Sequence, residues 1–295
     1  FVNFQDHGSN DQKDQWLDWK YAQATTADGS DTIGLGTDVG GLAMCYRRDL
    51  FEQAGLPTDR DEVSALWPTW DDFIATGQKF QDGIGDDNVH FMDSATNTYN
   101  AILMQSGDHT YFDTSDQLVI DSNPAVKTAW DTSVAMVDAG ISAKLKSFSN
   151  EWNAGFKNGA FATVACPAWM TGYIKEQSGE ANAGKWDIAS VPGGGGNWGG
   201  SFLAVPTTSE HQDLAIERVH RVERLLQAAL PLGAESRHAG ACVAAQEQGR
   251  EGRRGSLGPA PVLQMQLAPG VTRLDPEMPP VQELEGHPRQ PAEPQ

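Results

Sequence analysis

The chain has 295 residues, of which 39% are hydrophobic, and its 40 Asp and Glu against 21 Lys and Arg give a formal charge of −19. That length can bury a real core in one large or two medium domains, while the acidic balance disfavours nucleic acid or an anionic membrane surface as a partner. No apolar run approaches the ~18 residues of a spanning helix, and the three cysteines, Cys45, Cys166 and Cys242, are too few for a disulfide scaffold and show no C-x-x-C metal spacing.

The chain opens on FVNFQDHGSND, with no initiator Met, charged leader or apolar h-region. It therefore reads as a fragment without a signal peptide. Residues 11–21 suit a short amphipathic helix. DTIGLGT and GLAMCYR follow as two strands separated by Thr37-Asp38-Val39-Gly40, and residues 48–54 form a helix stopped by Gly55 and Pro57. Thr69 can cap the next helix, with Asp71 and Asp72 at the positive end of its dipole and Phe73, Gly77 and Phe80 along one face. YFDTSDQLVID reads as a hairpin turning at Thr114-Ser115-Asp116.

Ser122-Asn123-Pro124 places a capping residue before Pro at the first helical position. Val126, Trp130, Val134 and Val137 then recur at helical spacing, as a core-facing stripe would, and Gly140 closes the helix. Ser149 caps another helix, with Trp152 and Phe156 one turn apart and Gly159 at its end. FATVACP, KWDIASVP and SFLAVP are strands. Cys45 and Cys166 both lie in apolar strands and are expected to be free buried thiols. Alternating helices and short apolar strands make the fold class α/β.

From residue 215 the composition changes. All nine Trp, eleven Phe and five Tyr lie at or before Phe202, and the last Lys, Asn and Ile are Lys185, Asn197 and Ile216. Residues 1–214 hold 12 basic and 30 acidic side chains; residues 215–295 hold nine and ten, with ten of the sixteen prolines. So little apolar surface cannot offset an ordering cost of ~1–2 kcal/mol per residue. The stretch 215–295 is expected to be largely disordered beyond a short helix ending at Pro231. Its composition matches an out-of-frame reading of a GC-rich gene, with a genuine disordered extension as the rival.

Gly194-Gly195-Gly196-Asn197-Trp198-Gly199 fits G-x-G-x-x-G, but a strand rather than a helix follows it, so a flexible loop displaying Trp198 is the better reading. The seven His are scattered, and neither a metal site nor a cofactor is expected. Asp71/Asp72, Asp86/Asp87 and Asp113/Asp116 are carboxylate pairs of the kind a glycosidase needs, yet each also fits a cap or turn. Tryptophan is the informative excess. Trp70, Trp130 and Trp186 fall at packing positions. Trp169 follows a strand end, where α/β sheets place ligands, and Trp198 is held between glycines. An indole suits the C–H face of a pyranose, with Asp38, Asn97, Asn100 and Asn197 placed to bond its hydroxyls.

GLGTDVGGLAMCYRRDLFEQAGLP, PTWDDFIATGQKF, EWNAGFKNGAFATVACPAWMTGYIK and KWDIASVPGGGGNWGGSFLAVP together resemble the extracellular sugar-binding proteins of bacterial ABC importers, within the maltose-binding-protein-like group and closest to actinobacterial carbohydrate-binding lipoproteins. The resemblance runs to about Leu214. It implies a two-lobed, periplasmic-binding-protein-like (type II) fold, here incomplete, with a remnant of the first lobe at 1–41, the second lobe at 42–190, a return segment at 191–214 and the aberrant tail at 215–295. A first crossing near 37–42 would turn Asp38 to the cleft, and the family's cleft aromatics map to Trp152, Trp169 and Trp198. It further implies a monomer that binds a sugar or oligosaccharide and is read by membrane permease subunits, on the cell surface and with no catalysis. The competing classes are a glycoside hydrolase, a peptide-binding module and a truncated, non-functional paralogue. An incomplete cleft is expected to bind weakly or not at all.

Overall fold

The computed structural model describes residues 1–106, 110–113, 115 and 117–232, with the backbone alone from 223 to 232. Its main sheet is built on β2 (Leu42–Arg47), which pairs antiparallel with β4 (Phe161–Pro167) and β5 (Trp186–Ala189); β4 in turn pairs in parallel with β3 (His90–Met92), giving the order β3-β4-β2-β5. All seven positions of β4 are buried, as a continuous apolar run covered on both faces should be. A second pairing joins two very short strands, β1 (Leu35–Gly36) and β6 (Phe202–Leu203), with Leu35 opposite Leu203. The SFLAVP strand is thus only two residues long.

The strand period sorts side chains to opposite faces. On β2, Met44 and Tyr46 join a core with Phe51, Trp67, Phe73, Phe80 and Phe91, while Cys45 joins another with Trp152, Phe156, Phe161 and Met170. A third, smaller core gathers Val2, Phe4, Leu35, Val205, Ile216 and Val219, drawn from both ends of the described chain.

The helices form where their caps predict. In α4 (Trp70–Ile84), Thr69 and Asp72 make a reciprocal capping box and Phe73, Gly77 and Phe80 are buried. Asn123 caps α6 (Pro124–Asp138), and Ser149 caps α7 (Asn150–Asn158), which ends on Gly159 at φ 75°. The remaining helices are α1 (Asp18–Gln23), α2 (Arg48–Gln53), α3 (Arg60–Leu66), α5 (Ala95–Leu103), α8 (Met170–Ser178) and α9 (Gln212–Leu232).

Several expectations are corrected. Cys45 and Cys166 are not free thiols: they form a disulfide between β2 and β4, with Cα atoms 5.8 Å apart. Two apolar strands aligned as neighbours bring together cysteines 121 residues apart in sequence, which no local pattern reveals. On α6 the buried positions are Ala129, Ser133 and Met136, whereas Trp130 is 64% exposed and Val134 and Val137 lie open. The small residues let α6 approach closely, and Ser133 satisfies its hydroxyl by donating to the Ala129 carbonyl at 2.7 Å. The larger stripe is left outside.

The hairpin reduces to one bridge, Phe112 to Leu118, flanked by two backbone bonds; Thr114 and Asp116 of its turn lie outside the described residues. The expected helix at 11–21 is a 3-10 helix, Ser9–Gln15, followed by α1. The helix expected before Pro231 does form, as α9, and Pro231 does not stop it: α9 includes Pro231 and reaches Leu232, the last described residue, with Ile216 and Val219 in the third core. The tail from 233 onward, with Cys242, lies outside the described residues.

Candidate functional site

Two chain segments connect the β1/β6 pair with the main sheet: 37–41, leading into β2, and 190–201, returning from β5. They are laced together. Thr37 N donates to the Ser201 carbonyl at 3.0 Å, Trp198 N to that of Gly40 at 2.7 Å, and Leu42 N to that of Gly196 at 3.0 Å. Side chains add to the lacing. The Asp38 carboxylate accepts from Ser201 N at 2.5 Å, and Asn197 Oδ1 accepts from Gly40 N at 2.7 Å. Gly40 is required here, because a Cβ would stand 1.9 Å from the Trp198 carbonyl oxygen. The G-x-G-x-x-G stretch leads into β6 and not into a helix, and within it Gly196 packs tightly, a Cβ there standing 2.9 Å from Leu42 Cδ1.

Against these segments lies an open aromatic surface. Trp169, at the end of β4, is 42% exposed, and its Nε1 points to the Trp198 carbonyl at 3.5 Å. Phe148, 51% exposed, stands nearly parallel to it, with ring centroids 6.4 Å apart and 18° between planes. Sequence reasoning missed Phe148. An apolar residue just before a capping serine reads as a hydrophobic staple; in the structure Phe148 instead has φ 64° and an exposed ring. A bulky side chain in the left-handed region is a genuine backbone outlier, held in place by its surroundings.

Trp152 lies beneath this surface, fully buried, 5.1 Å from Phe148 and 4.6 Å from Phe156. Its Nε1 donates to Asp93 Oδ2 at 2.7 Å. Asn97 is also buried, with its amide donating to the Ala165 carbonyl at 3.4 Å. Neither therefore presents an open face, and both stand as supports. Asn100 is half-buried on α5. The structure thus brings together Asp38, Trp169, Asn197 and Trp198, adds Phe148, and puts Trp152 underneath; Asn97 meets the group only through Asp93 beneath Trp152, and no contact joins Asn100 to it among the described residues.

Two charged groups are perturbed nearby. Burial pushes the Asp93 carboxyl up to about 7, against the pull of its Trp152, Ser94 and Asn97 donors. Burial lowers the pKa of the Lys20 ammonium, and the Asp38 charge partly restores it. One acid of each pair is engaged locally: Asp72 in its capping box, Asp86 in a turn with Asn88, and Asp113 accepting from Ser115 N and Gln117 N. Among the described residues no three His, Cys, Asp or Glu gather as a metal would require, and no helix is long and apolar enough to cross a membrane.

Residues 2–217 match the family of bacterial extracellular solute-binding proteins. A lactose-binding protein of Rhizobium radiobacter is 32% identical over 197 residues, covering 64% of this chain and 44% of that protein. A solved extracellular solute-binding protein family 1 structure is 45% identical, with a TM-score of 0.66 over 75% of this chain and 56% of its own. The transporter-associated binding protein of B. animalis subsp. lactis, solved with beta-1,6-galactobiose, shares the fold at 20% identity and a TM-score of 0.64, over 82% of this chain and 57% of its own. The chain spans about half the length of these relatives.

Proposed function

This chain belongs to the bacterial extracellular solute-binding proteins, and we propose that it captures a sugar or oligosaccharide outside the cell for an ABC importer. The observation that carries this reading is the paired open face of Trp169 and Phe148 beside the laced crossing segments. Flat aromatic faces take the C–H face of a pyranose, and the carboxylate and amide of Asp38 and Asn197 lie close by to meet its hydroxyls. Trp198 borders the same surface. Trp152 and Asn97 support it from below, and Asn100 is a further polar candidate.

We take residues 42–190 as one lobe and 1–41 with 191–214 as part of the other; the make-up of the third core supports that division. Capture would then be binding without catalysis, passed to permease subunits through a shift between open and closed states. The Cys45–Cys166 disulfide supports an extracellular setting, since such bonds persist in oxidising compartments. A monomer on a lipid anchor completes the proposal.

Calorimetric titration with lactose and with beta-1,6-galactobiose tests it. Weak saturable binding, as an incomplete cleft should give, that Trp169→Ala and Phe148→Ala each weaken further by about tenfold is the expected result. Saturable binding that neither substitution alters would move the site elsewhere. Hydrolysis of a chromogenic glycoside would replace binding with catalysis.

A further inference from the structure

Lys20 is 3% exposed, and its Nζ has no hydrogen-bond partner among the described residues. Its stem lies against Gly36, where a Cβ would come within 2.8 Å of Cε. Its ammonium sits 3.7 Å from the centroid of the Phe202 ring. At Gly200 (φ 101°) a Cβ would stand 2.5 Å from Nζ and 2.8 Å from the Asp38 carbonyl oxygen. At the preceding Gly199 a Cβ would stand 3.1 Å from Trp169 Nε1. Two adjacent glycines therefore take the contacts of the ammonium and of the exposed indole.

An ammonium buried without an acceptor is costly, and a methionine would fill the same space more cheaply. What favours the charge is the Asp38 carboxylate on the first crossing segment and the ring face of Phe202, the first residue of β6, directly after the second. We infer that Lys20 is a positioning residue of the binding surface: its charge draws the two crossing segments together and so sets the Trp198–Ser201 loop against Trp169. The inference rests on reading that surface as a sugar site, but its first readout does not need a sugar.

The test compares Lys20→Met, Asp38→Asn and the double variant. The emission and acrylamide quenching of Trp169 are isolated by difference against Trp169→Phe in each background. Lys20→Met is expected to make Trp169 more quenchable and to weaken lactose binding by about tenfold. Asp38→Asn should raise the quenching too, and also loosens the Ser201 bond, so the double variant should fall short of the sum of the two single effects, by the part the two charges share. Lys20→Gln replaces Lys20→Met if the latter fails to fold by circular dichroism. An unchanged Trp169 signal in either Lys20 variant would overturn the inference, and so would effects that simply add. Altered Trp169 quenching in a protein that binds no lactose would uphold the role of Lys20 and sink the sugar reading alone.

Discussion

Asp93 shows how one residue beneath the site can set the behaviour of the protein with pH. It is fully buried and accepts from the Trp152 indole N–H at Oδ2. With its pKa raised to about 7, the folded chain keeps this proton where the unfolded chain, near 4, has lost it. The folded state therefore binds more protons between about pH 4 and 7, so this group's contribution to stability falls as pH rises through that window and stays low above it. Asp93→Asn keeps the shape and removes the charge. Urea melts at pH 5 and pH 8 should show the wild type losing up to about 3 kcal/mol on this account, with the variant flat by comparison and more stable at pH 8. A variant less stable than wild type at pH 8 would mean the carboxylate is the needed form.

At the scale of elements, most of the secondary structure was legible because its signals are local. Thr69, Asn123 and Ser149 cap where capping chemistry predicts, and β4 is buried along its whole apolar run. The failures arose wherever the answer depended on a neighbour distant in sequence. The spacing of Trp130, Val134 and Val137 correctly announced a helix, but which side of α6 is covered was settled by α5 and the small residues that meet it. The Cys45–Cys166 bond depended on the register of β2 against β4, and Phe148 on a backbone angle with no sequence signature. In the candidate site, Trp169 stood out because it follows a strand end and Trp198 because glycines flank it, while the burial of Trp152 and Asn97 had no such local signal. The disulfide closes a long loop across the middle of the main sheet, so its loss should cost about 2–5 kcal/mol. The double variant Cys45→Ala/Cys166→Ala is expected to melt about 10 °C lower, by the scaling for a chain of this size. A melt unchanged by the substitutions would show that the strand pairing alone holds β2 to β4.

For the molecule as a whole, the weak point is the junction. The main sheet carries two large cores, whereas the β1/β6 pair rests on six buried residues contributed by the two ends of the described chain. What ties that small core to the sheet is the lacing of 37–42 with 196–201, and Gly40 is its tightest point. A methyl group at Gly40 cannot coexist with the Trp198 carbonyl 1.9 Å away, so the segments must part. Parting them removes the Gly40 N to Asn197 and Trp198 N to Gly40 bonds, each a net loss of about 1 kcal/mol. The main sheet shares none of those contacts and should keep its stability. Gly40→Ala is therefore expected to act locally, with faster amide hydrogen exchange at Thr37, Trp198 and Ser201 while the amides of β2 and β4 stay protected. It should also weaken any sugar binding, because Asn197 and Trp198 lose their fixed places beside Trp169. Uniform loss of protection through β2 and β4 would instead mean that the junction and the sheet unfold as one unit, and that the crossing segments are part of the core and not a hinge laid across it.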